Sequence, residues 1–286
     1  GALTMDEKAT RYGAVETVAE GQKYAAFLAQ NRGRFDGVIL CLPNFGDETG
    51  AVAAMEDAGV PILVQAYPDE LDKMGFSSRR DAFCGKFSVM DVFCQYGVPF
   101  TTFQPHTVHP ASPSFGTHLN DFAALCRVVN GMKRMTVGAI GARTTAFKTV
   151  RFDELTLQTH HITTESLDLS EVIARVRDVK ASGVKFHAKA TRLRGYTGWK
   201  GVPGGTFATL VKLGVVLDDL MAEYQMDAMA LRCWLELEKQ LRVSPCVLLS
   251  EINDRGIPAA CELDVCNAVA MHALRLASGR PATCLD

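Results

Sequence analysis

The sequence predicts an α/β fold in which parallel sheets are joined by crossover helices. Apolar runs of strand length, such as GVILCL at 37–42 and DAMALRCW at 227–234, alternate with longer stretches of helical spacing along the whole chain. That alternation is the trace that strand–helix–strand units leave in a sequence. With 286 residues, 48% of them hydrophobic, the chain can fill two cores of ordinary size.

The elements follow in order. Residues 16–30 space their apolar side chains as a helix does, and 37–42 reads as a buried strand. The loop PNFGDETG leads into a helix over 51–58, then PILVQAY at 61–67 makes a second strand. A helix is expected over 80–96 and a third strand, PFTTF, at 99–103. Residues 104–118 are rich in proline and histidine and have no periodicity, so they read as a long loop, a feature uncommon unless functional. After a helix at 119–131, MTVGAIGAR at 135–143 opens a second unit, which places a domain boundary near 133. Helices at 170–181, 206–225 and 244–255 alternate with strands 227–234 and 257–263, before a helix at 265–278 and a short strand, PATCLD. The expectation is two consecutive open parallel-sheet, Rossmann-like domains, 1–133 and 134–286. The chain enters on a helix and stops on a strand, so it reads as part of a longer protein.

Thirty basic and 32 acidic residues give no electrostatic reason to expect a nucleic acid or a membrane surface as partner. A small polar ligand fits better. The N-terminal residues lack the basic and apolar regions of a signal peptide, and no apolar run approaches a membrane span, so the reading is cytoplasmic. Nine scattered cysteines read as reduced thiols, since the pair Cys261 and Cys266 has no matching second pair.

Ligands of open parallel sheets bind at the carboxyl ends of strands, where the loops gather. Glu262 ends one predicted strand and Asp286 the next, with a single helix between them. Two carboxylates projecting into one crevice would suit a hard divalent cation. The plainer alternative is that Glu262 caps the following helix and Asp286 is exposed; Asp264 is the better cap candidate.

The string CELDVCNAVAM, a helix ending in LASG and a strand ending on aspartate resemble the metal-binding segment of the L-fucose and L-arabinose isomerase-like family. In the L-fucose isomerase branch the two ligands stand 24 positions apart, and here 286 − 262 = 24, with Asp264 two residues after Glu262. MALRCW before LELE, MTVGAIGAR before FDELTL, and LPNFGDETGA add weaker similarities in the same order along the chain.

The resemblance implies a metal-dependent aldose–ketose sugar isomerase working through an enediol, with Mn2+ or another divalent cation such as Mg2+ bound by Glu262 and Asp286. It places Trp234 and Glu236 along the sugar pocket. It gives Asn44 and Phe45 to a loop that reaches a neighbouring subunit's site in a homo-oligomer, a trimer or hexamer. Read by themselves, Trp234 is equally a packed side chain, Glu236 a solvated acid, and Asn44 and Phe45 part of a plain loop in which Asp47 or Thr49 caps a helix. The family's third ligand is a histidine in a C-terminal domain, which no residue here matches. His272 reads as a packed or surface residue, His160 and His161 as turn residues, and His106, His109 and His118 as a loop cluster. Arg143 is a candidate for an anionic substrate, whereas Cys84 and Cys94 are poor nucleophile candidates. A non-catalytic sugar-binding or regulatory module on the same paired domains is the alternative.

Overall fold

The computed structural model describes residues 2–6 and 8–284 of the chain. They form two compact units, Gly1–Asn130 and Gly131–Asp286.

In the first unit, a 3-10 turn at Arg11–Gly13 precedes α1 (Val18–Gln30), where Thr17 caps the helix by accepting from the Glu20 amide. β1 (Val38–Leu42) then leads to α2 (Glu48–Met55), β2 (Ile62–Ala66), α3 (Ala82–Tyr96) and α4 (Pro113–Met132). The two strands pair in parallel, Val38 opposite Ile62 through Leu42 opposite Ala66. Every residue of β2 is buried, with α2 and α3 supplying Val52, Val89 and Phe93 to its core. The expected third strand at 99–103 is reduced to an isolated parallel bridge, Leu63 to Thr101, with a second at Ala66 to Thr107. Pro99 and Pro105 bracket this stretch and donate no N–H, so no ladder extends. Proline is tolerated in a helix's first turn, and α4 accordingly begins inside the predicted loop, at Pro113.

The second unit opens with β3 (Met135–Ile140), a 3-10 turn at Lys148–Val150, α5 (Glu154–Thr159), β4 (Ile162–Leu167) and α6 (Leu169–Asp178). It continues through α7 (Val184–Tyr196), α8 (Gly204–Glu223), β5 (Ala228–Leu231), α9 (Glu236–Leu241), α10 (Cys246–Asp254), β6 (Ala259–Cys261) and α11 (Val265–Ser278). All strand pairs are parallel, in the order β4-β3-β5-β6. β4, which reads ITTESL, went unpredicted because it carries only two apolar residues; it lies at the sheet edge, where its middle is half-exposed. Among the described residues, 281–284 of the expected last strand join no ladder, and Asp286 lies outside the described residues.

Each unit buries a lysine. Lys189 of α7 lies 2.9 Å from Glu251 and 2.7 Å from Asp218, and Arg255 reaches the same two acids. Lys86 of α3 donates instead to the His106 carbonyl at 2.8 Å, and burial lowers its pKa to about 8.

Candidate active site at the strand ends of the second unit

From β3 the chain moves outward to β4, then returns across β3 to β5 and β6. The order therefore reverses between β3 and β5, and the crevice beyond their carboxyl ends is where an open parallel sheet takes a ligand. β3 ends at Gly141, whose φ of +94° suits glycine; a Cβ there would stand 2.9 Å from the Arg232 Cβ. A crevice of about 750 Å³ opens at this point. Gly141, Ser166, Asp168 and Arg177 contribute to its wall from the β3 and β4 side, and Arg232 and Glu236 from the β5 side.

Leu231 of β5 pairs with Cys261 of β6, and just beyond the pairing the Cys233 and Cys261 sulfurs are 2.8 Å apart. Because Cys261 shares its proton with that sulfur, the Cys233 thiol is lowered to about 7 and its partner's is raised. Ligand atoms of Cys233, Cys261 and Glu262 all lie within 4.8 Å of one another. Glu262 and Leu263 leave β6 with φ of 58° and 64°, two successive non-glycine residues in the left-handed region. Such backbone costs energy and concentrates at functional sites. It turns Glu262 back toward β5 before Asp264 caps α11, accepting from the Asn267 amide at 2.9 Å.

Glu262 fits a divalent cation, as a carboxylate oxygen does for any such ion. The two sulfurs are softer donors than manganese or magnesium usually takes, and are at home with zinc. Asp286 is the residue left to add a second oxygen in the expected set.

The other expected residues fall as follows. Trp234 is stacked on Phe147, centroids 5.1 Å apart and planes within 8°, and its carbonyl accepts from the Thr144 hydroxyl. Glu236 opens α9 on the crevice wall, where it accepts from Gln240. Asn44 and Phe45 are exposed on the loop between β1 and α2 of the first unit, with the Phe45 amide bonded to the Arg80 carbonyl. In that loop Asp47 caps α2, accepting from the Gly50 amide and the Thr49 hydroxyl, both at 2.6 Å. Arg143 turns its Nη1 into its own loop, where it donates to the carbonyls of Thr144, Thr145 and Phe147. His272 is buried within α11, His118 is buried against the Gln104 carbonyl, and His160 caps the end of α5.

Sequence reasoning missed Cys233, Cys261, Arg232 and Arg177. The first three stand at or just after the ends of β5 and β6, so the rule that singled out Glu262 covers them too. Arg177, a helix residue, carries no such mark.

Residues 1–133 match the family model described as fucose/sulfoquinovose isomerase, N-terminal domain. The sulfoquinovose isomerase of Alkalicoccus urumqiensis is 22% identical over 259 residues, which cover 89% of this chain and 56% of that protein. The sulfoquinovose isomerases of Priestia aryabhattai and Priestia megaterium are each 21% identical over 266 residues, 92% of this chain and 58% of theirs. The chain thus spans a little under three fifths of the length of these curated relatives. It is similar to fucose isomerase-like proteins along most of its length, and its first 133 residues match the N-terminal domain of that family.

Proposed function

We propose that the protein of which this chain is part is an aldose–ketose isomerase, with its reacting centre at Glu262. One observation carries the reading: a carboxylate held by left-handed backbone at a strand end, beside the switch-point crevice, in a chain similar to this family. Glu262 and Asp286 face C1 and C2 of an open-chain aldose. A carboxylate takes the proton from C2, the electron pair forms the C1–C2 double bond as the carbonyl pair moves to O1, and O1 takes a proton to give the enediol; a second acid then returns a proton to C1 as the O2 proton leaves and the C2 carbonyl forms. The product is the ketose, with no net change in atoms or electrons. A positioned base of this kind contributes ~10²–10⁴-fold. A divalent cation held by Glu262 and Asp286, manganese or another such as magnesium, would stabilise the oxygen charge that develops. Glu236 and Trp234 line the sugar's path, and Asn44 and Phe45 serve a neighbouring subunit's site in a homo-oligomer. No helix among the described residues is long and apolar enough to cross a membrane, which accords with a cytoplasmic enzyme.

The test is conversion of a panel of neutral and sulfonated aldoses by the full-length protein, after chelation and after return of Mn2+, Mg2+ or Zn2+. Cation-dependent conversion that Glu262→Gln abolishes is expected. Conversion surviving that substitution removes Glu262 from the reaction, and binding of sugars without conversion favours a non-catalytic module.

A further inference from the structure

We propose that Cys233 and Cys261 are a thiol–disulfide switch at the strand end that carries Glu262: hydrogen peroxide joins the two sulfurs, and a dithiol releases them. That the joined state stops turnover rests on the isomerase reading above; the cross-link itself does not. Both residues are free thiols, placed on the neighbouring strands β5 and β6. Cys261 ends β6 opposite Leu231 of β5, and Cys233 stands two residues after Leu231. Their side chains converge beyond that pairing until the sulfurs are 2.8 Å apart. Small rotations about two Cα–Cβ bonds close the remaining gap to the ~2.05 Å of a disulfide.

The backbone on both sides is pinned, so the thiols stay opposed. The Arg232 amide donates to the Ile140 carbonyl at 2.9 Å, the Leu263 amide to the Leu231 carbonyl at 3.3 Å and the Asp264 amide to the Cys261 carbonyl at 2.9 Å. Cys233 is buried and Cys261 half-buried, so a small oxidant reaches the pair from the Cys261 side. One sulfur, as thiolate, attacks a peroxide oxygen; the S–O bond forms as the O–O bond breaks, and hydroxide leaves as water. The other thiolate attacks the sulfenic sulfur, the S–S bond forms, and the second hydroxide leaves as water. Two thiols thereby lose the two electrons that the peroxide gains. A dithiol returns them by exchange and is itself oxidised to a disulfide. Glu262 follows Cys261 directly, with φ of 58° continuing into 64° at Leu263, and a carboxylate oxygen lies within 4.8 Å of both sulfurs. Backbone in so restricted a region has little slack, so drawing Cys261 toward β5 moves the carboxylate from its place. A soft cation on the same three groups would shield the sulfurs, which is why the test begins with chelation.

The full-length protein is stripped with a chelator, treated with hydrogen peroxide and alkylated, and its disulfides are mapped by peptide mass spectrometry. Aldose turnover is measured after return of Mn2+, on the reduced protein, the oxidised protein and the oxidised protein treated with dithiothreitol. A Cys233–Cys261 cross-link is expected. It should lower kcat about 10–100-fold, as a small misplacement of a reacting group does, and dithiothreitol should restore the rate. In Cys261→Ser the oxidised and reduced rates should be equal, whatever the basal rate. If that variant does not fold, Cys233→Ala and the map of the wild type decide the same question. Oxidation that spares the pair overturns the proposal, as does a cross-link of either sulfur to Cys246 at the start of α10 or to a second copy. A mapped disulfide with undiminished turnover, or a loss of turnover that tracks unfolding by circular dichroism, overturns the switch. A reversible Cys233–Cys261 cross-link in a protein that converts no aldose in either state would instead sink the isomerase reading and leave the disulfide standing.

Discussion

Lys189 in the second unit is held by Glu251 at 2.9 Å and Asp218 at 2.7 Å, whereas Lys86 in the first has, among the described residues, the His106 carbonyl at 2.8 Å and no acid. Both side chains are almost wholly removed from water. Taking an ammonium out of water costs several kcal/mol, which a carboxylate cage offsets and one carbonyl does not. The second unit thus compensates its interior charge far from the strand ends, and at those ends it keeps Arg232 without an acid and Glu262 on costly backbone. Compensation within the helix layer and its absence at the crevice suit a fold that must stay rigid while its strand ends meet a ligand. Lys86 shows that an uncompensated charge does not by itself make a site. Its amine responds by losing affinity for its proton.

Four measurements bear on this contrast. The largest effect belongs to the strand end: Glu262→Gln in the full-length protein should lower kcat about 10³-fold and leave the melting temperature nearly unchanged. A large loss of stability would instead make Glu262 structural. Next is Lys189→Met, which removes the buried cation between Glu251 and Asp218, leaves Glu251 to Arg255 and Arg192, and should cost the second unit about 3 kcal/mol by urea titration. An unchanged midpoint would mean that the cage contributes nothing.

Lys86→Met should act with the opposite sign. The folded pKa of about 8 lies below the usual 10.5, so between these values the unfolded chain binds more protons and wild-type stability rises with pH. The burial penalty is complete below about pH 8 and absent above about pH 10.5, and amounts to roughly 3 kcal/mol. Less about 1 kcal/mol for the orphaned His106 carbonyl, the substitution should stabilise the first unit by about 2 kcal/mol near pH 7. That gain should vanish by about pH 10.5; a pH-independent gain would show that the amine is not the cause. The smallest effects come from the caps. Asp47→Ala and Asp264→Ala should each cost about 1 kcal/mol, one in each unit, because both side chains satisfy a first-turn amide. A cost confined to one of them would mark the other cap as replaceable by water.

Much of this was legible in the chain. GVILCL, PILVQAY and MTVGAIGAR are apolar enough to be strands anywhere, and they form β1, β2 and β3 with shorter ends. Glu262 was found by the strand-end rule and by its spacing to Asp286, and Asp264 was recognisable as a cap because it directly precedes an apolar helix. β4 was not legible: an edge strand needs no apolar run, and ITTESL becomes a strand only because β3 offers it a ladder. α7, with lysines and arginines through its length, hides its burial in Lys189, whose acids lie on α8 and α10.

By itself the sequence determined the fold class, the succession of most elements and the place of one candidate carboxylate at a strand end, because periodicity, caps and strand ends are local properties of a chain. Only the tertiary structure decided which side chains surround that carboxylate. Cys233 and Cys261 are 28 positions apart and meet because β5 and β6 are neighbours. Arg177 and Arg232 share a crevice because the strand order reverses at β3. Arg143, which the sequence offered for an anion, turns one guanidinium nitrogen into its own loop. Strand order and loop closure follow from the packing of the whole sheet, and no local spacing encodes them.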